Sequence, residues 1–191
     1  MTHWIHKFFK IGIIACFLLS QTACGYHYGQ GSQLAAYKTI TVPYVIGDLE
    51  GIFTSELIKK IATSGDLSYD NFCGDLCLEV KIINVIDDNI GFRYDRKKKG
   101  DLTHAIIPSE TRLTGITEIK LTDTKNGTVI IGPIQISATV DFDHDYYSTR
   151  DAANLFSLGQ LTDFDEAYHV ALKPLYQILA EKIVDYIFQS W

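Results

Sequence analysis

The sequence predicts an α+β domain, a two-layer sandwich in which two main helices lie on one face of a four-stranded sheet that is mostly antiparallel or mixed. Three observations carry this prediction. Apolar residues recur at three- and four-residue spacing in two segments, one early and one near the C-terminus, as on the buried stripe of a helix. Between them lie runs rich in β-branched residues, one of which alternates clearly. The last two runs are separated by Asn126-Gly127, the strongest short hairpin signal. A sheet with one apolar face must be covered, and two amphipathic helices can cover it. With 47% apolar and 21% charged residues, the 191-residue chain has the make-up of one folded domain.

Residues 1–23 read as a signal peptide rather than as part of that domain. His3, His6, Lys7 and Lys10 make a basic start, and residues 11–19 form an apolar run broken only by Gly12. A membrane-spanning helix needs about 20 apolar residues, so this run is too short to stay in a bilayer. Gln21-Thr22-Ala23-Cys24 then resembles a bacterial lipobox, in which small residues precede a cysteine that accepts diacylglycerol and becomes the new N-terminus. Cys16 has a similar local context, but cleavage there would leave an apolar region of only five residues, 11–15. Cys24 is therefore the expected lipidation site; the alternative is ordinary secretion with Cys24 as a plain thiol. In the lipoprotein pattern an Asp after the cysteine retains the protein at the inner membrane, and Gly25 there points to the outer membrane. Apart from the diacylglycerol and N-acyl chain on Cys24, no cofactor is expected. Two or three acyl chains, at about 0.8 kcal/mol per buried methylene, hold a protein durably.

Residues 24–36 form the lipidated N-terminus and a short glycine-rich tether, and residues 37–191 a single periplasmic domain. Thr39, Ile40, Thr41, Val42 and Val45 predict a first strand within 37–46, at an edge or bulged because of Pro43. Ile52, Phe53, Leu57, Ile58 and Ile61 predict a helix that stops before Gly65. Leu78, Val80 and Ile82 alternate with Glu79 and Lys81 in the clearest strand, 76–86, which can continue through 90–94 past a bulge or bend at Asp87-Asp88-Asn89 and Gly91. Residues 96–100 read as a charged connection. Strands are expected at 111–122 and 128–142, with Gly132-Pro133 marking a bulge. Residues 143–161 show no sustained period, with one helical turn expected at 151–156. From Thr162, capped together with Asp165, a final helix carries Ala167, Ala171, Leu175, Ile178, Lys182 and Tyr186 on one face, widened by Val170, Leu179, Ile183 and Ile187. Pro174 predicts a kink or break near Ala171.

The formal charge of −6, about −8 once Lys7 and Lys10 leave with the leader, argues against nucleic acid as a partner. Eleven Tyr and ten Phe suit a β-rich core or a surface that docks on protein. Tyr94, Tyr146, Tyr147 and Phe156 stand in loop-like stretches and are candidates for partner contact or for local packing. Arg93, Arg96, Lys97, Lys98 and Lys99 put five basic residues in seven positions, either a solvated turn or a grip on phosphates such as those of lipopolysaccharide (LPS) or on acidic groups of a partner. Cys73 and Cys77 can bridge in an oxidising periplasm if the chain turns at Gly74, or remain unpaired thiols; their spacing is not that of zinc or redox motifs. Asp141, Asp143, His144 and Asp145 lack the Gly and distal Glu of a common calcium loop, so no metal site is expected. No catalytic motif is present, and no enzyme activity is expected.

Ala23-Cys24-Gly25-Tyr26-His27-Tyr28, then a strand containing Thr39-Ile40-Thr41-Val42-Pro43-Tyr44, a helix, and a sheet closed by an amphipathic C-terminal helix resemble the LPS-assembly lipoprotein family, LptE. The resemblance implies a lipoprotein that plugs the barrel of the outer-membrane LPS transport protein LptD, assists assembly of that barrel and can touch LPS. A lipoprotein that regulates a cell-wall synthase is the alternative, but such proteins carry a long disordered tether, and residues 25–33 are short.

Overall fold

The structure, a computed structural model, describes residues 34–65, 67–96, 101–146 and 163–189. In chain order the elements are β1 (Thr39–Thr41), α1 (Ile52–Ser64), β2 (Ser68–Tyr69), β3 (Leu76–Arg96), β4 (Leu102–Asp123), β5 (Val129–Asp143) and α2 (Phe164–Gln189). The expected α+β class is observed, but the sheet has five strands, not four, in the order β2-β1-β3-β4-β5. It is mixed: β1 runs parallel to β2 and β3, while the β3–β4 and β4–β5 pairs are antiparallel. The strand that periodicity does not reveal is β2, whose two residues are too few to alternate.

The first strand is shorter than expected. After Thr41 the chain leaves the sheet through Pro43, which has no N–H to give a ladder, and rejoins it at Ile46. There the Ile46 N–H donates to the Val80 carbonyl at 3.0 Å and the Ile82 N–H to the Ile46 carbonyl at 2.9 Å. Helix α1 follows the predicted stripe, burying Phe53, Leu57 and Ile61, and stops at Gly65 in the left-handed conformation (φ +76°). Its first turn is satisfied from upstream, because the buried Asp48 carboxylate accepts the Thr54 N–H at 2.8 Å and the Thr54 hydroxyl at 2.7 Å.

From β2 to β3 the chain must cross β1, which lies between them. The crossing is made at Gly74, where a Cβ would stand 2.5 Å from the Thr41 nitrogen. Alternate threonines of β1 tie it down: Thr41 Oγ1 accepts the Gly74 N–H at 2.7 Å and Thr39 Oγ1 accepts the Asp75 N–H at 2.9 Å. Asp75 in turn accepts from the Lys38 N–H at 3.1 Å and from Lys125 Nζ at 2.8 Å, joining the crossover to the β4–β5 turn. These bonds, led by the one from Lys125, hold its carboxyl at a pKa of about 2.

The β4–β5 hairpin turns as predicted, with Gly127 at φ +66° and the Asp123 carboxylate accepting the Lys125 N–H at 2.8 Å. The bulge expected at Gly132-Pro133 is present: between the Ile119–Ile134 and Leu121–Ile131 pairs β5 spends an extra residue. A Cβ on Gly132 would collide with the Ile119 carbonyl oxygen.

Helix α2 is continuous through Pro174, so of the kink or break expected near Ala171 the break does not occur. Proline frees the carbonyl four residues earlier, that of Val170, and this residue is 71% exposed, on the side where water can take the bond. Asp163 caps the helix, its Oδ1 accepting the Glu166 N–H at 3.0 Å; Thr162 of the expected Thr162–Asp165 cap lies outside the described residues. Ala167, Ala171, Leu175, Leu179, Ile183 and Ile187 are buried as expected; Val170, Lys182 and Tyr186, placed on the same face from the sequence, are exposed. Helix α2 packs on α1, β4 and β5, with Phe53 stacked on Tyr176 at 5.0 Å between ring centroids. Gly115 of β4 lets it approach: an added Cβ would lie 3.0 Å from Leu179 Cδ1. Both helices thus share one face of the sheet, as predicted. Among the described residues no helix is long and apolar enough to cross a membrane.

Candidate functional site

Two strands of 21 and 22 residues, β3 and β4, outreach their neighbours, and that difference creates the most distinctive surface of the domain. Strand β5 ends where Asp143 pairs with Glu110, and the His144 N–H then reaches the Ser109 carbonyl at 3.1 Å. Beyond this point, among the described residues, β3 and β4 pair only with each other, through Phe92–Pro108, Arg93–Ile107, Tyr94–Ile106 and Arg96–Leu102. The bulge or bend expected in β3 is present as register shifts at Asn89/Gly91 and Gly91/Phe92, within one strand that also shifts at Ile82/Asn84 and Tyr94/Arg96. The first in chain order, at Ile83, exchanges the faces: before it Leu78 and Val80 point to the helices, after it Val85 and Asp87 lie opposite Gly115 and Leu113 of the covered face.

Directly opposed residues of an antiparallel pair share a face. Tyr94 with Ile106, and Phe92 with Pro108, therefore lie on the ribbon's open side, where Phe92, Tyr94 and Ile106 are each about 60% exposed. Arg93 and Ile107 lie on the other side, and Ile107 is buried. At the base of the ribbon on that covered side, the Arg93 guanidinium meets the Asp145 carboxylate at 2.8 Å, both largely out of solvent. Beside it, the Thr111 hydroxyl donates to Asn89 Oδ1 at 2.9 Å and so receives its own bond from His144 Nε2, also at 2.9 Å. The His144 ring, almost fully buried, meets Phe164 of α2 edge-on at 5.0 Å, and Phe142 lies 5.8 Å from both rings. This cluster fixes the root of the ribbon against the start of α2.

The predicted site residues separate on this frame. Arg93 is bound to Asp145 on the covered face and is not a free cation for an external phosphate. Arg96 ends β3, while Lys97, Lys98 and Lys99 lie outside the described residues, as do Cys24, Tyr147 and Phe156. Tyr94 and Tyr146 are both exposed. Of the two alternatives for Cys73 and Cys77, a bridge or unpaired thiols, the structure has the second: both are free, the first exposed, the second on β3 in register with Thr122. Gly74, between them, is occupied in crossing β1 rather than in turning one cysteine toward the other. Asp141 forms a two-pronged pair with Arg112, 2.7 Å at each contact, which holds its carboxyl below the usual range. It faces away from the buried His144, and no group of three or more metal-ligating side chains gathers among the described residues. A groove of about 330 Å³ on the sheet's open face is walled by Tyr44, Ile46 and Pro133 over Lys81 and Lys120. The ribbon itself escapes sequence reading because β4 is predicted to begin at residue 111. Its signal was the apolar pair Ile106-Ile107 opposite the continuation of β3.

Several solved structures are similar to this chain. An uncharacterized lipoprotein B from Nitrosomonas europaea is 13% identical, with 80% of this chain and 83% of that chain covered at a TM-score of 0.46. The rare lipoprotein B from Shewanella oneidensis is 10% identical, with 78% and 93% covered at 0.45. A minor lipoprotein from Acinetobacter baumannii is 13% identical, with 79% and 90% covered at 0.42. No curated protein matches the chain in sequence. The model of the LptE family, described as lipopolysaccharide-assembly, matches residues 37–187, from just before β1 almost to the end of α2, and the chain belongs to that family.

Proposed function

We propose that this chain is an outer-membrane lipoprotein, anchored by lipid on Cys24, that plugs an LptD-like LPS transport barrel, assists its assembly and supports delivery of LPS to the cell surface. The observation that carries this reading is the family match across nearly the whole described domain. The geometry agrees with it. A plug needs a broad mixed surface, and the open face of the sheet offers paired charges, Arg112 with Asp141 and Lys120 with Glu79, beside exposed Tyr44 and Ile46. The basic residues Arg96, Lys97, Lys98 and Lys99, consecutive in sequence from the end of β3, contact LPS phosphates in this proposal.

The test is co-purification of the tagged full chain with an outer-membrane barrel in a stable stoichiometric complex, and capture of that barrel by a photo-crosslinker at Tyr146. Depletion of the chain is expected to lower surface LPS. Recovery of only a peptidoglycan synthase, with LPS display unchanged, would replace this reading with that of a cell-wall regulator. Cys24→Ala is expected to abolish labelling by a clickable fatty acid; loss of label in Cys16→Ala instead would move the anchor.

A further inference from the structure

Sheet edges leave backbone N–H and C=O groups unpaired, and this fold blunts most of its own. On one side the outer strand, β2, is only two residues long. On the other, β5 carries Pro133, and its Ser137 carbonyl accepts from Lys182 Nζ at 2.9 Å. Where β4 outruns β5, Pro108 has no N–H and the Ser109 carbonyl is taken by the His144 N–H. Strand β3 is different. Its pairing on the β1 side ends with the bond from the Ile82 N–H to the Ile46 carbonyl, after which the chain turns at Gly47 (φ +93°). Between the register shifts at Ile82/Asn84 and Asn89/Gly91, residues 84–89 keep an unbroken ladder with β4, from Asn84–Ile116 to Asn89–Thr111. Among the described residues no strand lies on their other side, so alternate residues of the run turn N–H and C=O toward solvent.

We propose that residues 84–89 of β3 are a strand-addition site for an extended polypeptide segment rich in lysine or arginine. An extended backbone repeats donors and acceptors at the spacing of this edge, and a run of this length matches an ordinary short strand. Side chains set the charge of the occupant. Asp87 and Asp88 are exposed, point to opposite faces of the sheet and form no ion pair among the described residues. Arg112, opposite Asp88, gives both prongs to Asp141 instead. Ile86, on the same face as Asp88 and exposed, adds apolar contact. A second copy of this chain fits badly, because antiparallel self-pairing of the run sets acid against acid. The carboxylates that keep copies apart thus select a basic segment. The site depends on neither a barrel nor LPS and goes beyond the plug proposal.

The full chain in detergent is titrated with an end-blocked peptide of alternating valine and lysine, long enough to span the run. Because the chain carries a net charge of −6, affinity alone does not locate the contact, and amide hydrogen exchange is followed residue by residue. Exchange is expected to slow within residues 84–89 and to stay unchanged in β5. Two companion peptides separate backbone from charge: a fully N-methylated form, which has no donors, and a form with glutamate for lysine. Each is expected to bind about tenfold more weakly or worse. The Asp87→Lys, Asp88→Lys double variant, altered only at exposed positions and checked for fold by circular dichroism, is expected to prefer the glutamate peptide. Binding without slowed exchange at residues 84–89, equal affinity for either companion peptide, an unchanged preference in the double variant, or no binding at millimolar peptide overturns the proposal. So does slowed exchange of the same amides without peptide in a dimer, which would give the edge to a second copy. No barrel and no LPS enter these measurements, so their failure leaves the plug reading where co-purification puts it.

Discussion

Gly74→Ala puts the way the chain passes over β1 to a direct test. An added methyl would meet the Thr41 nitrogen at 2.5 Å, Thr41 Oγ1 at 2.7 Å and the Ile40 carbonyl carbon at 2.8 Å. Two of these atoms are backbone of a strand hydrogen-bonded on both sides, so they cannot move alone; the crossover has to lift instead. Lifting stretches the Gly74 and Asp75 N–H bonds to Thr41 and Thr39. Overpacking of this kind costs about 1–3 kcal/mol, and each lost hydrogen bond about 0.5–1.5 kcal/mol. A total of about 2–6 kcal/mol lowers the melting temperature by roughly 4–24 °C in a chain of this size. Thermal unfolding of the full chain in detergent, followed by circular dichroism, reads it. Gly127→Ala is the control, since its Cβ meets nothing and only its φ of +66° is strained, at about 1 kcal/mol. If Gly74→Ala melts with the unaltered chain, or no lower than Gly127→Ala, the close crossing is not what requires glycine there.

Leu179→Ala removes a fully buried side chain seated on Gly115 and is expected to cost about 2–5 kcal/mol, measured by urea unfolding. Arg93→Ala leaves the Asp145 carboxylate without its guanidinium at the root of the ribbon; a loss of about 1.5–3 kcal/mol is expected, with faster hydrogen exchange in β3 beyond Asn89 than in residues 76–82. Asp75 is held at a pKa of about 2, below the unfolded value of about 4, so its contribution is complete above that value and lost as the pH falls toward 2. Asp123, lowered chiefly by the Lys125 N–H, and Asp141, lowered chiefly by Arg112, act in the same direction. Acid unfolding of Asp75→Asn is therefore expected to depend less steeply on pH in that window than that of the unaltered chain.

What could be read from the sequence was whatever neighbours along the chain determine. The stripe of α1 and its stop at Gly65, the alternation that opens β3, the Asn126-Gly127 turn and the bulge at Gly132-Pro133 each depend on dihedral preferences and side-chain period within a few residues. The tertiary structure decided what depends on residues far apart. Strand β2 exists because two residues find the edge of β1, and β1 is short because its continuation pairs again only at Ile46. Helix α2 runs through Pro174 because packing on α1 and the sheet outweighs one missing bond whose carbonyl faces water. Arg93 reads as one member of a basic run until Asp145, 52 residues later, is brought beside it. The ribbon emerges only from register: an antiparallel pair continues as long as its ladder is satisfied, and no single stretch of sequence records where the third strand stops. Periodicity is local and propagates along one chain segment, whereas strand order, partner choice and the length by which one hairpin outreaches its neighbour are properties of segments meeting in space.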